Sequence, residues 1–144
     1  MKKDSNIIVD KSYKFALRII KLFKYVSKNK NEFVLSKQVL RSGTSIGALI
    51  QEAMHAESNA DFIHKLSISY KEANETQYWL RLLKDSDIIN TKSADSILKD
   101  CNEIIKILTS IINTSKSKIK LWFIMFLIVN FELLIVNCYF VIRN

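Results

Sequence analysis

Apolar positions recur at three- and four-residue steps along four stretches of the chain, the spacing that gathers side chains on one face of an α-helix. The first predicted helix runs from about Ser12 to Lys28, with Phe15, Ile19, Leu22 and Val26 on one face and Ala16, Ile20 and Phe23 beside them. Asn29, Lys30 and Asn31 break the pattern. A second helix is predicted from near Ser36, read as its N-cap, with a seam of Val39, Gly43, Ile46, Ile50 and Ala53. Ser58 followed by Asp61 has the form of a capping box and opens the third. Its face carries Phe62, Leu66, Ser69, Ala73, Thr76, Leu80 and Leu83. After a turn-like stretch from Asp85 to Asn90, Thr91 or Ser93 would cap a fourth, whose seam is Ala94, Ile97, Cys101, Ile104, Leu108 and Ile111. Short connections between amphipathic helices make antiparallel neighbours. The predicted fold is therefore all-α: an antiparallel up-down-up-down four-helix bundle over residues 1–117, followed by a hydrophobic C-terminal extension, 118–144.

In that extension the amphipathic pattern stops. The 22 residues from Leu121 to Ile142 hold one charge, Glu132. At about 1.5 Å per residue they reach roughly 33 Å, against a bilayer core of about 30 Å. Lys116, Lys118 and Lys120 precede the stretch, and Trp122 and Tyr139 sit near its edges as interfacial anchors would. Glu132, with Asn130 and Asn137, counts against insertion. Three readings stay open: a transmembrane anchor that tethers the bundle to the inner membrane, an extension of the reading frame with no selected role, and a fifth packed segment.

Composition narrows the fold. There is no proline, and the only glycines are Gly43 and Gly47, so the tight turns of an all-β architecture are poorly supplied. A glycine inside a helix costs about 1 kcal/mol relative to alanine. These two lie one turn apart and are expected to let the second helix approach the third, where Ser69, Ala73 and Thr76 are the small partners. Contact of exposed backbone with a ligand or nucleic acid is the alternative. Cys101 and Cys138 lack metal-ligand spacing, and no secretory signal opens the chain, so a reducing, cytoplasmic setting is expected.

The net charge of +8 directs attention to nucleic acid or an anionic membrane. Between Lys11 and Asn31 there are seven basic residues and no acidic one. Lys11, Lys14, Arg18, Lys21 and Lys28 fall on one line of the first helix, opposite its apolar face, and form the expected nucleic-acid-binding ridge, about 25 Å long. Tyr13 and Tyr25 are the aromatic residues interleaved with it, so backbone or shape recognition of RNA or DNA is expected over base readout. A solvated face that keeps the protein soluble is the alternative reading.

Catalysis finds less support. Glu52-Ala-Met-His55 and Asp61-Phe-Ile-His64 have the carboxylate-x-x-His spacing of di-iron bundles, but the first helix offers no inward carboxylate to complete a site. There is no nucleophile elbow and no phosphate-cradling glycine loop. The expectation is a protein that is not an enzyme, with no catalytic residues, metal or cofactor.

Two stretches, FVLSKQVLRSGTSIGALIQEA and DFIHKLSISYKEANETQYWLRLL, resemble the bacterial four-helix-bundle proteins encoded in 23S rRNA intervening sequences. The likeness covers about Lys11 to Ser115 and is most specific at RSGTSIGA and KEANETQYWL. It singles out Arg41, Ser42, Gly43, Ser45, Gly47, Glu52, Glu72, Asn74 and Glu75 as helix-packing and family-motif positions. The resemblance implies assembly into a homopentamer. The chain is also similar to the accessory variability proteins of diversity-generating retroelements, which implies nucleic acid and a reverse transcriptase as partners. Leu49 stands where the family pattern has asparagine, and the chain runs on past Ser117, where such proteins end.

Overall fold

A computed structural model of the chain describes the backbone from Lys2 to Ile142, and the side chains of residues 7–128 and of Asn130. The described residues form four α-helices and no strand: α1 (Lys2–Lys30), α2 (Val34–Met54), α3 (Asn59–Asp85) and α4 (Thr91–Ile142). Two compact units divide them, Met1–Ile112 and Asn113–Asn144.

Within the first unit, the contacts between helices run in opposite directions along each pair. Gly43 of α2 abuts Ile19 of α1, and Gly47 abuts Ser12. Lys65 of α3 reaches Glu52 of α2, Ser69 reaches Ile46, and Thr76 reaches Ser42. Lys84 of α3 meets Asp95 of α4, and Cys101 meets Ala73. Lys11 of α1 meets Glu103 of α4, and Arg18 meets Asp100. In every pair one residue number rises as the other falls, so α1–α2–α3–α4 close into an antiparallel ring.

The core is one cluster built from the four seams, including Phe15, Ile19, Ile46, Ile50, Leu66, Leu80, Leu83, Ile104 and Leu108. Every seam position expected from the sequence is buried except Phe62 and Ile111, which are partly buried against the cluster, and Ile112 closes the fourth seam.

Helix α1 starts at Lys2, well before Ser12. Ile8 is fully buried and continues the stripe through Ser12 to Phe15 and Ile19. A serine at a seam position hides that continuation from a hydrophobic pattern. Ser12 can be buried because its hydroxyl donates to the Val9 carbonyl at 2.9 Å.

Ser36 is not the cap of α2. It lies inside the helix, buried, with its hydroxyl donating to the Glu32 carbonyl at 2.7 Å. The start is capped by the Glu32 carboxylate, which accepts from the backbone N–H groups of Val34, Leu35 and Ser36 at 2.8–2.9 Å. These are orphan donors of a first turn, and an anion there is favoured by the helix dipole. Burial pushes the Glu32 carboxyl up, but the N–H bonds from Leu35, Ser36 and Val34 outweigh it and hold the pKa below the ordinary value. A depressed carboxyl pKa adds stability above the unfolded value, and that stability is lost as pH falls through the folded one.

Helix α3 opens as the sequence predicts, with the Ser58 hydroxyl accepting from the Asp61 N–H at 3.1 Å. For α4 the capping side chain is Asn90, whose Oδ1 accepts from the Ser93 N–H at 2.8 Å; neither Thr91 nor Ser93 has that role. Both glycines lie within α2, so the left-handed turn positions fall to Asn31 (φ 52°) and Asp87 (φ 58°), residue types that tolerate them.

The glycines of α2 face α1, not α3. A Cβ on Gly43 would stand 2.9 Å from Ile19 Cγ1, whereas one on Gly47 would lie at an ordinary 3.6 Å from the Ser12 carbonyl oxygen. Toward α3, close approach rests on short hydroxyl side chains. Ser69 donates to the Ile46 carbonyl at 3.0 Å, and Thr76 Oγ1 lies 2.9 Å from Ser42 Oγ, all buried.

Candidate nucleic-acid interface

The basic line along α1 exists, but its charge is unevenly available. Lys11 Nζ lies 2.8 Å from Glu103, and Lys14 Nζ lies 2.6 Å from Asp10 one turn earlier. Arg18 is held most firmly: it pairs with Asp100 and donates to Ser96 Oγ at 2.9 Å. Three of the five expected binding residues are thus engaged by carboxylates, two of which come from α4. Lys21, Lys24, Lys28 and Lys30 are exposed and make no ion pair among the described residues. Among the described side chains of α1 the unpaired positive charge is concentrated from Lys21 to Lys30, with exposed Tyr25 among it.

Antiparallel topology adds to that end of the bundle. The end of α1 lies with the start of α2, the end of α3 and the start of α4, which places Lys37 and Lys92 at the same end. Its carboxylates are Glu32, occupied in capping α2, Asp95, paired with Lys84 at 2.6 Å, and Asp85 and Asp87.

The family-motif residues gather along α2 and α3. Arg41 pairs with Glu75, whose Oε1 also accepts from the Trp79 indole at 3.1 Å. Glu72 Oε2 is buried without a hydrogen-bond partner, with Arg41 Nη1 3.9 Å away, so a long-range Coulomb attraction is its visible compensation. Asn74 donates to the Tyr70 carbonyl, Ser45 to the Arg41 carbonyl, and Ser42 to the Gln38 carbonyl. Glu52 accepts from Lys65 at 2.6 Å, and that hydrogen bond, with the attraction of the two charges, raises the lysine pKa. The Arg41 and Glu52 contacts cross between α2 and α3, whereas those of Asn74, Ser45 and Ser42 to carbonyls stay within one helix. Trp79 is the member the sequence reading passed over; its spacing of four from Glu75 is the signal that could have found it.

The groups with catalytic potential are dispersed. His55 lies at the C-cap of α2 and His64 near the start of α3, both exposed. Among the described residues no three of His, Cys, Asp and Glu come together to hold a metal ion. Burial, then the adjacent Asp100 carboxylate, pushes the Cys101 thiol up to about 12, and the thiol donates to the Ala73 carbonyl. A thiol held protonated in this way is a poor nucleophile. Cys138 lies outside the residues whose side chains are described.

Among the described residues no helix is long and apolar enough to cross a membrane. The span expected over 121–142 runs into residue 129 and residues 131–142, whose side chains lie outside the described set.

The sequence matches the 23S rRNA-intervening sequence protein family over residues 4–110. A crystal structure from Bacteroides thetaiotaomicron, of a protein with unknown function from the S23 ribosomal protein family, is 54% identical. It superposes with a TM-score of 0.76, covering 76% of this chain and 98% of its own. No curated protein sequence matches significantly. The family match takes in the helical seams as far as Leu108, the basic line of α1 and the Arg41–Glu75–Trp79 cluster together, and the chain belongs to the 23S rRNA-intervening sequence protein family.

Proposed function

We propose that the protein is a non-enzymatic bundle that binds the phosphate backbone of structured RNA or DNA through the C-terminal half of α1. The observation that carries this reading is the run of Lys21, Lys24, Lys28 and Lys30 on an exposed helix surface, with no carboxylate among the described residues paired to any of them. Elsewhere on the same helix, Lys11, Lys14 and Arg18 are neutralised by named partners. Phosphates spaced along a nucleic acid are the polyanion such a row fits, and point-charge lysines give affinity without base readout. Dispersed histidines and a buried, protonated Cys101 favour binding over chemistry. Assembly into a homopentamer, the state the family resemblance implies, would repeat the row fivefold and add avidity.

The test is a titration of labelled, structured RNA at about 50 and 200 mM salt, a range over which counterion release weakens phosphate-dominated binding steeply. Reversing Lys21, Lys24 and Lys28 to glutamate is expected to lower affinity by about a hundredfold or more and to flatten the salt dependence. Reversing Lys11 and Lys14 is expected to do less, since their charge is already offset. Equal affinity for the triple variant and the unmodified protein, at unchanged helicity, would remove the reading.

A further inference from the structure

The second compact unit contains a stretch for which the bundle has no counterpart. From Leu121 to Ile128 eight consecutive residues are apolar, and each is exposed, from 42% at Ile124 to 68% at Trp122. Eight residues of α-helix make two full turns, so apolar side chains point in every direction around the axis. Bundle helices α1 to α3 differ in kind: each buries a stripe and shows water a polar face. A second protein helix covers a stripe. It would leave most of this circumference wet, whether it came from another copy of the chain or from a partner. A helix apolar all round is at home where the surroundings are apolar on every side.

The residues just before the stretch identify those surroundings further. Ser115, Lys116, Ser117, Lys118 and Lys120 give way to Leu121 and Trp122 within about two turns. Cations followed by an amphipathic indole and then hydrocarbon is the order met on passing from anionic headgroups into acyl chains. At 1.5 Å per residue, residues 121–128 reach about 12 Å, within one leaflet of a core about 30 Å thick. Trp122 and Phe126 stack one turn apart, with centroids 5.7 Å from each other, and present a continuous aromatic face at the boundary.

We infer that residues 116–128 of α4 dock the protein on an anionic bilayer, with Lys116, Lys118 and Lys120 at the headgroups and residues 121–128 in the outer acyl region of the facing leaflet. This stretch shares no residue with the lysine row of α1, so membrane docking and nucleic-acid binding use different residues.

The experiment uses the full chain carrying Trp79→Phe, which leaves Trp122 as its single tryptophan. Vesicles of phosphatidylcholine alone and of phosphatidylcholine with phosphatidylglycerol are added, and tryptophan emission is read alongside cosedimentation of the unmodified chain. The expected result is a blue shift and recovery with the anionic vesicles, with partitioning about tenfold or more weaker without phosphatidylglycerol. Phe123→Asp with Phe126→Asp should abolish both signals, and neutralising the three lysines to glutamine should remove the preference for phosphatidylglycerol. An unshifted Trp122 in the presence of anionic vesicles overturns the proposal. Full recovery of the double aspartate variant also overturns it, because the α1 lysines would then be the contact. A blue-shifted emission that rises with protein concentration and ignores lipid overturns it in favour of a second copy.

Discussion

Toward α1, helix α2 presents Gly43, and the space where a side chain would stand is taken by Ile19. Toward α3 the same helix presents Ser42, whose hydroxyl donates to the Gln38 carbonyl and meets Thr76. One face is dry and depends on a missing side chain; the other is polar and depends on short side chains that satisfy each other. Close helix approach needs small residues in both cases. The difference lies in what a substitution does. At the glycine face an added atom collides, and at the hydroxyl face a removed atom takes a buried hydrogen bond with it.

The largest effect should come from emptying the glycine face. Ile19→Ala removes a fully buried side chain and is expected to cost about 2–5 kcal/mol in urea unfolding. Gly43→Ala alone should destabilise, because over-packing of about 1–3 kcal/mol exceeds a helix-propensity gain of about 1 kcal/mol. In the Ile19→Ala background its sign should reverse, since the obstructing atoms are gone. Additive effects in that double-mutant cycle would show that Ile19 is not what Gly43 accommodates.

At the other face, Thr76→Val should cost about 1 kcal/mol. It keeps the shape but removes the hydroxyl that meets Ser42, leaving the Ser42 proton still bonded to Gln38. A valine variant more stable than the parent would mean that the hydroxyl pair contributes nothing to holding α3. The smallest effect is expected at Gly47, where a Cβ has ordinary room. Gly47→Ala should raise stability by about 0.5–1 kcal/mol, readable as a small rise in the urea midpoint. A loss of stability there would extend the tight contact along the whole α1–α2 face and erase the distinction between the two glycines.

Most of the bundle is legible from periodicity because Leu, Ile and Val occupy seam positions in all four helices. What escaped has physical causes. Ser12 interrupts the apolar stripe of α1, so Ile8 behind it goes unread. Serine is among the favoured N-caps, yet Ser36 is already inside α2, and the longer Glu32 side chain reaches forward over the turn to do the capping. Spacing shows that Gly43 and Gly47 share a face but not which neighbour that face meets. The basic line lies along α1, with Lys14, Lys21 and Lys28 exposed. Its partial neutralisation was hidden, because Asp100 and Glu103 lie far along the chain and reach α1 only once α4 has folded beside it.

The hydroxyls between α2 and α3 have one more effect. Sliding α3 along α2 by a single turn, about 5.4 Å, would still set aliphatic side chains against aliphatic side chains, because their spacing repeats. It would carry Ser69 away from the Ile46 carbonyl, its one partner among the described residues. That hydroxyl would then be buried unpaired at a cost of about 1–3 kcal/mol. Thr76 and Ser42 would lose each other but keep the Glu72 and Gln38 carbonyls of their own helices. A seam of leucine alone would offer several longitudinal alignments of similar energy. Ser69 is the detent that singles out one of them.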